Sequence, residues 1–174
     1  DIQAPKSWNF LRKKLARSEE PEVLKLTVQL SQILGDLSVS EDALKLVMNE
    51  DANLDERKDA LASLVSTRYE KLPPRLKFLL DSALRIDAIR AYSSFNYPQT
   101  PEELISEYNN FDILAKRATM DVLVTNRSFA KALLGALRTE KISKADIPNY
   151  VAKKMRKKLG NSFDDVYGKI FQMG

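Results

Sequence analysis

The chain has 174 residues, of which 44% are hydrophobic and 30% charged, enough for one packed domain or one short repeat array. It contains neither Cys nor His, which excludes disulfides, thiolate nucleophiles, His-based triads and any metal site built on sulfur or imidazole. Only five glycines and seven prolines accompany a net charge of +4, so the composition argues against a turn-rich β-protein and favours helices.

Residues 7–34 predict two helices ahead of any repeat. Ser7 is placed to cap the first of them. Pro21 suits the first turn of the second, at about 21–34. This second helix is apolar on much of its surface, so we expect it to lie centrally in the fold. Gly35 fits its C-terminal end.

A four-position pattern then returns three times. It consists of a basic, a small and two apolar residues: Arg57, Ala60, Leu61 and Leu64; Arg85, Ala88, Ile89 and Tyr92; Lys116, Thr119, Met120 and Leu123. The copies are offset by 28 and then 31 residues. Self-similarity at such a period is typical of helical-repeat arrays, in which a single unit cannot bury its apolar face alone. We therefore expect Leu61, Ile89 and Met120 to be buried.

Each copy of the pattern lies on the second of two paired helices. The predicted pairs are 39–49 with 54–66, 74–81 with 83–95, and 101–108 with 111–125. Capping-box spacings mark three helix starts: Ser38 with Glu41, Asn53 with Glu56, and Thr100 with Glu103. This is the pattern of a HEAT-like array, so we predict an all-α, right-handed α–α superhelix whose helical pairs span residues 1–126.

After Arg127 the repeat pattern of paired helices is no longer seen. Phe129, Leu133 and Leu137 belong to a clean amphipathic helix. A loop or single turn at 141–146 precedes a helix from about Pro148 to Gly160 and a last helix at about 162–172. A repeat array needs a different terminal unit to close its open end. Residues 127–174 are therefore predicted to be capping helices on the same array.

The densest charge lies in the predicted helix before Gly160. Its five cations are Lys153, Lys154, Arg156, Lys157 and Lys158. They lie roughly opposite the apolar Val151–Met155–Leu159 stripe and could contact phosphates or an acidic partner. The alternative is a solvated face near a helix C-terminus, where cations favour the dipole. Of the aromatics that would stack bases, only Tyr150 is near.

A second set of cations recurs at the start of the second helices: Arg57, Arg85 and Lys116. On the concave inner surface of an array, such a ladder could bind acidic segments or phosphates. The alternative is a repeat-stabilising bridge to a nearby carboxylate: Asp59, Asp87 or Asp112.

The sequence carries no pattern of a reaction centre. Its carboxylates are scattered, and it has no Gly-rich phosphate loop, nucleophile elbow or calcium loop. We therefore assign no catalytic, cofactor-binding or metal-ligating residue and expect no cofactor. An enzyme that uses only Asp, Glu, Lys, Arg and Tyr remains a third alternative. No apolar run reaches the roughly 20 residues of a membrane helix and no signal peptide is visible, so no membrane insertion is expected.

Residues 117–161 resemble a recurrent segment of large bacterial membrane-bound dehydrogenases, in which HEAT-like helices stand between a β-propeller and a haem c domain. The matching positions are Arg117, Leu123, Arg127, Ala130, Leu133, Leu134, Ala136, Leu137, Ile142, Asp146, Ile147, Leu159 and Gly160. Upstream the resemblance is general and repeat-level. It implies a helical spacer in an exported or periplasmic redox protein. Since the chain has no Cys-x-x-Cys-His, neither haem nor redox chemistry carries over.

These observations give two functional hypotheses of different kinds. The first is a non-catalytic scaffold or protein-interaction module, acting as a spacer inside a larger protein and contacting neighbouring domains or a docking partner. The second is a nucleic-acid-binding helical repeat that uses the basic C-terminal half, since residues 88–174 carry 14 Lys and Arg against 9 Asp and Glu.

Overall fold

The computed structural model of the chain describes residues 5, 7–33 and 37–168. Across these ranges the regular secondary structure consists of helices, with no strand. The all-α prediction is therefore confirmed. The chain divides into two compact units, Asp1–Leu72 and Pro73–Gly174.

The described residues of the first unit form four helices in sequence. They are α1 (Trp8–Leu15), α2 (Pro21–Ile33), α3 (Leu37–Met48) and α4 (Leu54–Ser66). Each helix packs on the next, and the contact between α3 and α4 is the most extensive. This contact buries Val47, Leu61 and Leu64 almost completely. The predicted pairing of 39–49 with 54–66 is confirmed.

The second unit contains shorter helices. They are α5 (Pro73–Leu76), α6 (Arg85–Ala91), α7 (Thr100–Glu107), α8 (Ile113–Leu123), α9 (Arg127–Arg138), α10 (Asn149–Leu159) and α11 (Asn161–Tyr167). Short 3-10 turns follow α5 at Lys77–Leu79, α6 at Tyr92–Ser94, α7 at Tyr108–Asn110 and α9 at Lys144–Asp146. The last of these is the single turn expected at 141–146. The C-terminal helix ends at Tyr167, before Gly168 at φ 97°, so its predicted residues beyond 168 lie outside the described part.

The helices of the second unit pack on neighbours one and two elements along the chain. α6 packs on α8, α7 on α9, and α9 on α8, α10 and α11. The first predicted pair of this unit is seen as the contact of α5 with α6. The predicted pairing of 101–108 with 111–125 is not the main contact of either helix, because α7 packs mainly on α9 and α8 mainly on α6.

The small and apolar positions of the pattern are buried in all three copies. Leu61, Ile89 and Met120 are 2%, 0% and 1% exposed, as expected from the pattern. The small residues and the last apolar residues of each copy are buried as well: Ala60, Ala88, Thr119, Leu64, Tyr92 and Leu123. Residues three and four apart share one face of a helix, so these positions form a single buried stripe on each of α4, α6 and α8.

Only one of the predicted side-chain caps is formed. Asn53 accepts hydrogen bonds from the amides of Asp55 and Glu56, at 2.9 and 3.2 Å, and starts α4. Ser7 makes no capping hydrogen bond, and α3 already includes Ser38, so neither serine caps its helix.

The capping box at Thr100 is wrong for a tertiary reason. Thr100 lies inside α7 and is fully buried, and the residue that precedes the helix, Gln99, makes no side-chain cap. The carboxylate of Glu103 accepts hydrogen bonds from the hydroxyls of Tyr92 and Tyr97, at 2.5 and 3.5 Å. A buried tyrosine hydroxyl needs an acceptor, and here it takes the glutamate that local spacing assigns to the helix start.

The expectation that α2 lies centrally is wrong. Leu26 and Ile33 are 55% and 65% exposed, whereas Thr27 and Ser31 are buried. The hydroxyl of Thr27 donates to the carbonyl of Val23 at 2.7 Å, which satisfies it inside the helix. Small residues on the packed side let helices approach closely, and the large apolar residues are left on the flanks. The predicted stop at Gly35 lies outside the described residues.

Replacing Arg68, which follows the end of α4, with glycine is expected to stabilise the fold. Its φ of 52° is left-handed, a conformation that costs a non-glycine residue roughly 1–2 kcal/mol. The amide of Tyr69 donates to the carbonyl of Leu64 and that of Arg68 to Val65, both at 3.0 Å, which completes a helix-ending motif that favours glycine. Because Arg68 is exposed, Arg68→Gly should raise the free energy of unfolding by about 0.5–1 kcal/mol. Urea denaturation measures it; an unchanged or lower midpoint would contradict the strain argument.

Candidate interaction surface

The cationic ladder is a set of contacts inside the fold. Arg57 is only 4% exposed, and its Nε donates to the carbonyl of Val47, near the end of α3, at 3.0 Å. A cation at a helix C-terminus satisfies an unpaired carbonyl and interacts favourably with the helix dipole. Arg57 therefore connects the two helices of its pair and is not presented to a partner.

Arg85 repeats this arrangement in the second unit. Its Nε donates to the carbonyl of Leu80, just after the 3-10 turn that precedes α6, at 2.6 Å. Its guanidinium also lies 5.8 Å from the centre of the Phe111 ring. In both arginines the bond goes to a backbone carbonyl at the end of the preceding helix and not to the carboxylates considered from sequence, Asp59 and Asp87.

Lys116 makes the third contact of this kind with a different partner. Its Nζ lies 5.0 Å from the centre of the Tyr108 ring, at the end of the preceding helix, and 3.5 Å from Oδ2 of Asp146. Asp112, the carboxylate considered from sequence, caps α8 by accepting the amide of Ala115 at 2.8 Å. The three cations thus share a place in the repeat, and each is drawn toward the end of the preceding helix.

The basic cluster of α10 lies on the outside of the second unit. Val151, Met155 and Leu159 are buried, as the predicted stripe requires. Lys153, Lys154 and Lys157 are exposed, whereas Arg156 and Lys158 are half-buried.

Three of these cations have partners that fix them. Nε of Arg156 contacts both carboxylate oxygens of Asp164 on α11, at 3.0 and 3.2 Å. Nζ of Lys158 donates to the carbonyl of Thr125, which follows α8, at 3.3 Å. Nζ of Lys154 lies 5.5 Å from the centre of the Tyr150 ring. The first two contacts tie the C-terminal half of α10 to α11 and to the residues after α8, whereas the third lies within α10.

Lys153 and Lys157 differ from the other three, since neither has an ion pair or hydrogen bond with any described residue. Together with Arg156, Gly160 and Asn161 they line an open depression of about 470 Å³. None of the described residues that line it is a carboxylate. The depression is therefore a compact, solvent-open and positively charged surface, which we call the α10 depression.

Sequence reasoning missed the polar contacts that hold α10 against α8. The hydroxyl of Tyr150 donates to Oδ1 of Asp121 at 2.8 Å, although the two residues are 29 positions apart. Burial and this hydrogen bond raise the pKa of Tyr150, against an opposing effect of Arg117 on α8. Arg117 and Asp121 are four residues apart on α8, but no local spacing links either of them to Tyr150, so only the tertiary structure reveals this contact.

Two further tyrosines are fully buried in the second unit, Tyr92 and Tyr108. Burial raises the pKa of Tyr92, and the hydrogen bond and charge of Glu103 raise it further. Burial, and then the charge of Asp146, likewise raise the pKa of Tyr108. Both phenols are therefore protonated at neutral pH, and that of Tyr92 donates a hydrogen bond to Glu103.

The described residues show neither a metal-site cluster nor a helix that could span a membrane. No three of their carboxylate, imidazole or thiol side chains gather as a metal site would require. None of the helices seen between residues 7 and 168 has the length and apolar content to cross a bilayer. Comparison with known proteins finds no matching family model, no similar curated protein and no similar solved structure.

Proposed function

We propose that the chain is a non-catalytic helical-repeat scaffold that docks a protein partner. The observation that carries this proposal is the three-copy stripe, whose apolar members are buried while its basic member reaches the end of the preceding helix in each copy. Residues that recur in this way serve the stacking of units, and stacked units present extended surfaces for binding.

The packing of the second unit supports a HEAT-like arrangement. Contacts of α6 with α8, α7 with α9 and α9 with α11 join helices that lie two elements apart along the chain. Such contacts are expected when successive helical pairs stack side by side. A right-handed superhelix that includes residues 1–126, capped by 127–174, is the arrangement that we propose on this basis.

The resemblance over residues 117–161 leads us to propose a setting for the scaffold. The chain would be a spacer within a larger exported redox protein of the membrane-bound dehydrogenase kind, between a β-propeller and a haem c domain. Its partners would then be the neighbouring domains. The reading frame that encodes the chain tests this directly: a Cys-x-x-Cys-His motif downstream is expected, and its absence would remove the proposed setting.

Binding of a flanking domain is the expected biochemical result. Each domain encoded beside the chain is produced separately and titrated against the 174-residue chain by isothermal calorimetry. We expect at least one of them to bind saturably, with an affinity that falls as salt rises, because the accessible charge of the second unit is basic. If none of the flanking domains binds at low salt, the scaffold proposal fails.

The nucleic-acid alternative predicts a different result in the same assay. Duplex DNA that is contacted through several phosphates binds with a steep salt dependence, losing about 10³–10⁵ in affinity between roughly 50 and 200 mM salt for 6–10 contacts. Tight DNA binding with such a slope, together with no binding of a flanking domain, would replace the scaffold proposal with this alternative.

A further inference from the structure

We propose that the α10 depression docks the carboxylates of an acidic segment of a protein partner, with Lys153 and Lys157 as the contacting cations. This inference rests on the proposed function and names the surface and the partner chemistry. It starts from the difference between these two lysines and the other cations of α10, whose head groups already have partners.

Electrostatics favours an anion between Lys153 and Lys157. The two residues are four apart on one helix, and like charges at this spacing repel each other. Arg156, the third cation of the depression, is partly neutralised by Asp164, and that carboxylate does not line the depression. A carboxylate bound between the two lysines would replace their repulsion with two charge-assisted hydrogen bonds.

The surface around the depression is held in place before any partner arrives. Val151 and Met155 are fully buried beneath it, and the two contacts of Arg156 with Asp164 hold α11 against α10. At the other side, Tyr150 is bonded to Asp121 on α8. A surface fixed in this way loses little backbone freedom on binding, which favours affinity for a small ligand group.

The dimensions of the cluster favour a short acidic segment over a nucleic acid. Lys153 and Lys157 are separated by about 6 Å along the helix axis, room for one or two carboxylates. Nucleic acid is contacted at many phosphates and by stacked aromatics. The nearby aromatic, Tyr150, is 40% exposed, its hydroxyl is bonded to Asp121, and Lys154 lies over its ring.

The test uses the 174-residue chain, a fluorescein-labelled oligoglutamate peptide and fluorescence anisotropy. We expect saturable binding at low salt. Lys153→Glu with Lys157→Glu should weaken that binding at least about tenfold, because both contacting cations are reversed. The matched control is Lys131→Glu with Lys141→Glu, which makes the same charge change at two exposed lysines of the second unit. The control should retain most of the affinity.

Each other outcome overturns the inference. Equal weakening in both double variants would mean attraction by net charge alone. If the peptide does not bind, the acidic segment is excluded as occupant. It is also excluded if a labelled DNA duplex binds more tightly than the peptide and this DNA binding is lost in the Lys153/Lys157 variant. Circular dichroism confirms that both variants are folded. If a flanking domain still binds the Lys153/Lys157 variant with unchanged affinity, this inference fails while the scaffold proposal stands.

Discussion

Ile89→Ala is expected to lower the free energy of unfolding by about 2–5 kcal/mol, the range for truncating a buried aliphatic side chain. Ile89 is the central apolar residue of the second repeat copy and is 0% exposed. It lies on α6, whose main helix contact is with α8, so the cavity would open between two repeat helices. Urea denaturation followed by far-UV circular dichroism measures the loss.

The control for Ile89 is the same substitution at an exposed site of the same unit. Ile113 is 78% exposed in the first turn of α8. Ile113→Ala should change the free energy of unfolding by no more than about 0.5 kcal/mol, as for most surface substitutions. If the two variants lost the same stability, Ile89 would not lie in a packed contact between repeat helices. The conclusion that the repeated apolar residues hold these helices together would then be contradicted.

Tyr92→Phe is expected to destabilise the chain by about 1.5–3 kcal/mol at neutral pH, the worth of a hydrogen bond to a charged group. The hydroxyl of Tyr92 donates to Oε2 of Glu103 at 2.5 Å, and the substitution leaves this partly buried carboxylate with only the longer bond from Tyr97. Thermal or urea unfolding at pH 7 measures the difference from the unsubstituted chain.

The same variant should respond differently to alkaline pH. The pKa of Tyr92 in the folded chain is raised above the value of about 10 in the unfolded chain, chiefly by burial. The folded state therefore keeps a proton that the unfolded state releases, and the stability due to Tyr92 is complete below pH 10 and lost as pH rises. The loss is about 1.4 kcal/mol per pH unit for each such tyrosine.

Phenylalanine cannot release this proton. The stability difference between the unsubstituted chain and Tyr92→Phe should therefore shrink above pH 10. Absorbance at 295 nm measures the formation of tyrosinate. The buried phenols should ionise only as the chain unfolds, so their part of this absorbance should rise in step with unfolding. A difference that stays constant or widens between pH 9 and 11 would contradict the raised pKa of Tyr92 and its pairing with Glu103.

The helical class and the buried repeat stripe were predictable from sequence because both depend on local spacing. Apolar residues three and four apart define a helix face, and a face that recurs about 30 residues later needs the same kind of partner. Leu61, Ile89 and Met120 are buried for this reason. The stripe of α10 and the outward direction of its lysines follow from the same rule.

The tertiary structure decided where the polar groups of those helices go. Local spacing assigns Glu103 to a capping box, but its carboxylate is taken by Tyr92, which comes 11 residues earlier and whose buried hydroxyl needs an acceptor. Arg57 goes to the carbonyl of Val47 and not to the nearby Asp59, because the end of α3 leaves unpaired carbonyls beside it.

The candidate surface shows the same division. The spacing of the five cations was enough to place them together on the side of one helix that lies opposite its apolar stripe. Only the packing of α8, α10 and α11 determined that Arg156 and Lys158 are held by Asp164 and Thr125, which leaves Lys153 and Lys157 without a partner among the described residues. The helical period sets the direction of a side chain from its own helix. The partner that it meets lies on another element, 8 positions away for Arg156 and 33 for Lys158, and folding brings the two together.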